Sequence, residues 1–186
     1  ALILAYALGL RLMLVAGMTC LMGYLAATVG TWSGCYWLSF GERPENFIVA
    51  GALLVAGGAL PHRRHGTFPN LYRGYGLLVV FISILILSNW GTISYLPMSP
   101  GTIEAGYQVF GFLLAGGVIA LGIRRRWPGI TNLGSTFFAL YLYTKIFDWW
   151  WDWMPKYLFF LVLGLTAILI LLVLKRVRAV ARGGIS

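Results

Sequence analysis

The chain has 186 residues, is 60% hydrophobic and 10% charged, and carries a net charge of +9 with a mean hydropathy of +0.83. A soluble domain needs about 25% charged residues to cover its surface. This composition therefore excludes a water-soluble globule and points to an integral membrane protein. The glycine excess, 24 residues, suits closely packed membrane helices, where small residues let backbones approach.

The opening ALILAYALGL offers about ten apolar residues before Arg11, half of the roughly 20 a spanning helix needs. It lacks the basic start and small-residue cleavage site of a signal peptide. It reads as a partial helix over 1–9, the remainder of an earlier helix in a longer chain. One continuous helix over 1–31 is the alternative. Further helices are predicted at 12–31, 44–60, 72–90, 103–122, 129–149 and 156–175. The expected fold is an all-α polytopic transmembrane helix bundle, with six full spans plus the partial N-terminal one, forming a single domain over 1–186. Pro44, Pro128 and Pro155 fall at or just before first-turn positions, where the missing N–H does no harm. Thr102 is expected to cap the helix that opens IEAG, with Glu104 in its first turn, and Asn70 to cap the one beginning near Leu71.

The charges sort by loop. One set of loops holds Arg11, then Arg63, Arg64 and Arg73, then Arg124, Arg125 and Arg126, and finally Lys175, Arg176, Arg178 and Arg182, with no acid. The alternating set holds all five acids, Glu42, Glu45, Glu104, Asp148 and Asp152, joined by Arg43, Lys145 and Lys156. Strict alternation is what a series of helical hairpins requires, and the excess of Lys and Arg in cytoplasmic loops places the first set and the C-terminus in the cytoplasm. Orientation thus accounts for most of the positive charge without nucleic acid, and the same clusters attract anionic lipids of the bilayer. Arg63, Arg64, Arg124, Arg125, Arg126, Lys175 and Arg176 are accordingly lipid-headgroup or topogenic residues. Each outer turn also carries tryptophan (TWSGCYW, SNWGTISYLP, DWWWDWMP), at intervals of about 60 residues.

The outer turn KIFDWWWDWMPK combines Lys145, Asp148 and Asp152 with Trp149, Trp150, Trp151 and Trp153. Tryptophan favours the headgroup level, so the four indoles read as an interfacial anchor with snorkelling lysines. The aspartates are not needed for anchoring. They leave open a polar outer-face site for a cation or a peptide partner, in which Asp148 lies deepest. Lys145 lies one turn from Asp148 and can pair with it. His62 and His65 are three apart but have no third ligand nearby, so PHRRHG reads as a solvated basic turn. Cys20 and Cys35 are placed poorly for a disulfide. Gly111 with Ala115, and Ala52 with Ala56, form small-xxx-small pairs, with Gly57, Gly58, Gly116 and Gly117 as further thin spots for helix contacts. No nucleophile triad, metal-protease helix or nucleotide-binding loop is present. No carboxylate lies at mid-membrane depth, and no catalytic residue, metal or cofactor is implied.

The AYALGLRL opening, the Trp-bearing turns and the closing FDWWWDWMPKYLFFLVLGLTAILILLVLKRVR resemble the C-terminal helical half of a family of bacterial predicted multi-pass inner-membrane proteins of unknown function. The match falls on Asp148, Trp149, Tyr157 to Leu161, Gly164 and Lys175 to Arg178. The resemblance implies a bacterial inner-membrane location and a chain that continues beyond this stretch, and it supplies no activity. The expected role is a non-enzymatic scaffold or accessory subunit among other membrane-protein subunits. A transporter or channel for a small solute or lipid, and a lipid-modifying enzyme working at Asp148 and Asp152, are the alternatives.

Overall fold

The computed structural model describes residues 2–32, 43–60, 66–150 and 155–182. Among these residues the chain is all-helical: α1 (Leu2–Leu8), α2 (Arg11–Trp32), α3 (Glu45–Gly57), α4 (Phe68–Leu87), α5 (Pro100–Arg124), α6 (Pro128–Trp150) and α7 (Lys156–Arg182), with a short 3-10 turn over Gly91–Ile93. Among the described residues three helices are long and apolar enough to cross a membrane: α2 over Arg11–Thr28, α4 and α5. With 13 residues α3 is shorter, reaching about 20 Å at 1.5 Å per residue against a hydrocarbon core of about 30 Å. The chain divides into two compact units, Ala1–Val109 and Phe110–Ser186.

In the first unit α1 is separate from α2, which replaces the continuous 1–31 alternative. Gly9 adopts φ 67°, a left-handed conformation that ends α1 and that glycine alone takes without steric cost. Leu10 N–H then donates to the Ala5 carbonyl at 3.2 Å. The short helix doubles back, with Leu2 lying over Gly17, and Ala5 is buried with Leu14, Met18 and Phe68. The Tyr6 hydroxyl donates to that of Tyr72 at 3.2 Å, and the Tyr75 hydroxyl donates to Thr19 Oγ1 at 3.0 Å, tying α1 and α2 to α4.

The α3–α4 pair is the closest packing in this unit. A Cβ added to Gly51 would stand 2.7 Å from the Gly76 carbonyl oxygen, and one on Gly76 would stand 2.6 Å from that of Gly51. At Gly58 the Pro69 carbonyl would be 2.8 Å away. The contact face is therefore Gly51, Gly58 and Gly76. The expected pair Ala52 and Ala56 lies on the exposed side of α3. Glycines seven apart return to nearly the same helix face after two turns, whereas Ala52 is rotated by about 100°.

Two capping expectations are corrected. α4 begins at Phe68, preceded by Thr67, with Pro69 in its first turn and Asn70 already inside the helix. A proline in that turn needs no N–H partner, so the helix starts earlier than Asn70. α5 likewise begins at Pro100, and the Ser99 carbonyl, not Thr102, accepts from Thr102 N–H at 3.0 Å and Ile103 N–H at 3.2 Å. Glu104 is then past the first turn.

In the second unit α5 and α6 pack through Ala115, Gly122 and Gly134. Gly111 and Ala115 are both buried. A Cβ on Gly122 would meet Thr131 N at 2.9 Å, and one on Gly134 would meet the Ala115 carbonyl at 3.3 Å. Tyr141 is fully buried beside Phe112, whose ring is edge-on to Phe138 at 5.3 Å. The turn between them closes with Trp127 N–H donating to the Gly122 carbonyl at 2.8 Å and Arg126 N–H to that of Ile123 at 3.1 Å. This paired pattern ends a helix on a left-handed residue, here Arg126 at φ 55°. α7 packs on α6 yet leaves Leu161, Leu165, Ile168, Leu169 and Leu172 more than half exposed. It runs to Arg182 rather than ending near 175, because no proline or glycine interrupts the basic tail.

Candidate functional site

Of the expected outer-turn site, the structure describes one pair. Lys145 Nζ lies 3.6 Å from Asp148 Oδ2, an i,i+3 contact near the end of α6. The Asp148 side chain is 46% exposed, so solvent screens the pair and it contributes little to stability. Trp149 and Trp150 belong to the last turn of α6. Trp151, Asp152 and Trp153 lie outside the described residues, as do Arg63, Arg64, His62, His65 and Cys35. Cys20 is a free thiol on the exposed side of α2. Arg124, Arg125 and Arg126 are exposed around the α5–α6 turn, and Lys175 and Arg176 are exposed on α7. The two groups of basic residues are charged surface with no neighbouring acid in their own segments.

The structure also brings together a polar cluster of residues that lie far apart in the sequence. It joins the first turn of α3 to the α4–α5 connection, within the first unit. Glu45 Oε1 accepts from the Ser94 hydroxyl and, at 3.0 Å, from the Tyr95 backbone N–H. Ser94 Oγ in turn accepts from Leu96 N–H at 3.2 Å. Arg43 Nη1 donates to the Ser94 carbonyl at 3.0 Å, and its guanidinium lies 4.3 Å from the centre of the Tyr95 ring, close enough for a cation–π attraction. Asn46 Nδ2 donates to Tyr95 Oη at 3.0 Å. At the other end of the same connection, Glu104 Oε1 accepts from Gly91 N–H at 2.9 Å. Here α5 passes so close that a Cβ on Gly91 would meet the Pro100 carbonyl carbon at 3.1 Å.

Two details set this cluster apart from an ordinary loop clamp. Glu45 Oε2 is buried and has no hydrogen-bond partner among the described residues. A buried acceptor left unsatisfied keeps its full desolvation cost, about 1–3 kcal/mol and more for a charged group. Arg43, two residues away, does not cancel it, because its guanidinium is directed to Ser94 and Tyr95. Arg43 also holds φ 54°, a left-handed conformation that costs a non-glycine residue about 1–2 kcal/mol.

Beside the cluster runs a half-open groove of about 190 Å³, lined by Met22 of α2, Pro44 and Phe47 at the start of α3, and Val79, Ile82, Ser83 and Ile86 of α4. Ser83 donates its hydroxyl to the Val79 carbonyl of its own helix at 2.9 Å, so the groove presents an apolar wall. The sequence did contain one signal for the cluster: Arg43, Glu45 and Glu104 fell in the same set of alternating loops. The structure joins two of those segments at one end of the first unit. Comparison with protein-family models, curated proteins and solved structures finds no match for the chain.

Proposed function

We propose that the chain is a non-enzymatic multi-pass membrane protein, a scaffold or accessory subunit of a larger assembly. In this reading α2 to α7 are six spans, with the bilayer thinned around the short α3, the membrane is the bacterial inner membrane, and the C-terminus is cytoplasmic. The resemblance of the closing hairpin to bacterial multi-pass proteins supports the location, and the alternation of basic and acidic loops supports the orientation.

The observation that carries the reading is the surface that the second unit's own described residues leave uncovered. Gly116 and Gly117 on α5 have nothing within 4 Å of an added Cβ, and much of α7 is exposed leucine and isoleucine. Lipid covers exposed leucine well, but glycine faces gain more from close approach of another helix. A partner helix seated on α5 would use the space those glycines leave. The experiment is reconstitution of the purified chain alone in liposomes. The reading expects neither solute flux nor substrate conversion, and either activity from the isolated chain would overturn it.

Transport is the second reading, favoured by the buried Ser135 hydroxyl on α6. Cysteines introduced along α5 and α6 discriminate. Labelling by polar thiol reagents at mid-membrane depth would indicate a water path, and uniform protection would remove it.

A further inference from the structure

We propose that the first turn of α3 binds one aminophospholipid, with its ammonium group on Glu45 Oε2, its phosphate at Arg43 and an acyl chain in the adjoining groove. This rests on the membrane reading above and not on the presence of protein partners.

The headgroup half follows from the unmatched polar groups. Glu45 Oε1 already takes two donors, whereas the buried Oε2 takes none among the described residues. An ionised carboxylate accepts at both oxygens, so the site is complementary to one further donor, and a cationic N–H donor gains most against a carboxylate. Arg43 supplies the opposite preference. Its guanidinium carries five N–H donors in a fork suited to phosphate, and the bond to the Ser94 carbonyl uses Nη1. A headgroup with a phosphate and a primary ammonium satisfies both residues. A choline headgroup brings the cation without an N–H donor, and a glycerol headgroup brings the phosphate without the cation.

The chain half follows from the groove. Pro44, between Arg43 and Glu45 in sequence, is part of its lining, together with Phe47 and the α4 residues Val79, Ile82 and Ile86. Consecutive Cα atoms are about 3.8 Å apart, so the backbone that carries Arg43 and Glu45 is continuous with the groove wall at Pro44. The volume of about 190 Å³ holds roughly six groups of water or methylene size. Trp90 and Tyr95, exposed at the same connection, mark the headgroup level.

The test uses the full chain in nanodiscs of equal parts phosphatidylethanolamine, phosphatidylcholine and phosphatidylglycerol. Native mass spectrometry reads the retained lipid, and a phosphatidylethanolamine with a photoreactive acyl chain reads its position. The wild type is expected to retain phosphatidylethanolamine about tenfold over the other two, and Glu45→Gln to reduce this to about twofold or less. Ile82→Trp, at an exposed groove position, is expected to remove chain cross-links to Met22 and Phe47 with helix content unchanged. Equal retention of the three lipids, or an undiminished preference in Glu45→Gln, would overturn the proposal. So would competition by soluble phosphoethanolamine as effective as that of the intact lipid. A chain that stays in aqueous solution without detergent would overturn the membrane reading and this inference with it. A chain that inserts but shows no lipid preference overturns this inference alone.

Discussion

Replacing Gly51 with alanine adds one methyl group at the α3–α4 crossing, and its effect follows from what that methyl meets. The new Cβ would lie 2.7 Å from the Gly76 carbonyl oxygen, 2.7 Å from Val80 Cγ2 and 3.2 Å from Val80 N. Val80 can change rotamer, but the two backbone atoms move only if the helices separate. Overpacking of this kind costs about 1–3 kcal/mol. Against it, alanine gains about 0.5–1 kcal/mol over glycine in a helix interior. The steric term wins, and Gly51→Ala is expected to destabilise the protein by about 1–2 kcal/mol. Gly116→Ala is the internal control, because nothing lies within 4 Å of its Cβ. There only the propensity term acts, and stability should hold or rise by up to about 1 kcal/mol. Denaturant unfolding in detergent, followed by far-UV circular dichroism, measures both variants. If Gly51→Ala proves as stable as Gly116→Ala, the glycine-to-glycine crossing does not exist as described.

Other substitutions probe single contacts. Ser94→Ala removes one donor to Glu45 and should speed hydrogen exchange at Tyr95, whose N–H shares that carboxylate; unchanged protection would show that the α3–loop tie contributes nothing. Glu104→Ala leaves Gly91 N–H without its acceptor and should destabilise by about 1–2 kcal/mol, measured by the same unfolding assay, with no loss refuting the contact. Arg126→Gly relieves a left-handed backbone at the end of α5 and should stabilise by about 0.5–1 kcal/mol. A loss of stability there would mean the arginine side chain makes a compensating contact. Lys145→Ala should cost less than about 1 kcal/mol, and less again at high salt, as expected for a solvent-screened pair. A larger, salt-independent loss would give Lys145 a buried role.

The helices were legible because each apolar run is bounded by proline or charge, so their order and approximate ends follow from the chain. The ends that differ do so for local reasons. Pro69 and Pro100 start their helices earlier than Asn70 and Thr102 would, and the basic tail of α7 contains nothing to stop it. The crossing face of α3 was not legible. Gly51 with Gly58, and Ala52 with Ala56, both satisfy a small-residue spacing, and only the position of α4 selects between them. The same limit hid the Glu45 cluster. Its partners Ser94 and Tyr95 lie 49 and 50 residues away, and nothing in their local pattern indicates that a helix start and a distant loop meet. Lys145 and Asp148, by contrast, are three apart on one helix, so their pairing could be anticipated from spacing alone.

In the proposed role the chain holds another membrane protein against α5. A photoreactive amino acid placed at position 117, in the full chain expressed in its native membrane, tests it most directly. One cross-linked species of defined mass is expected, recovered in fixed stoichiometry after mild-detergent purification and lost when Gly116 is changed to leucine. Cross-links to lipid alone, with the purified chain carrying no stoichiometric partner, would contradict it.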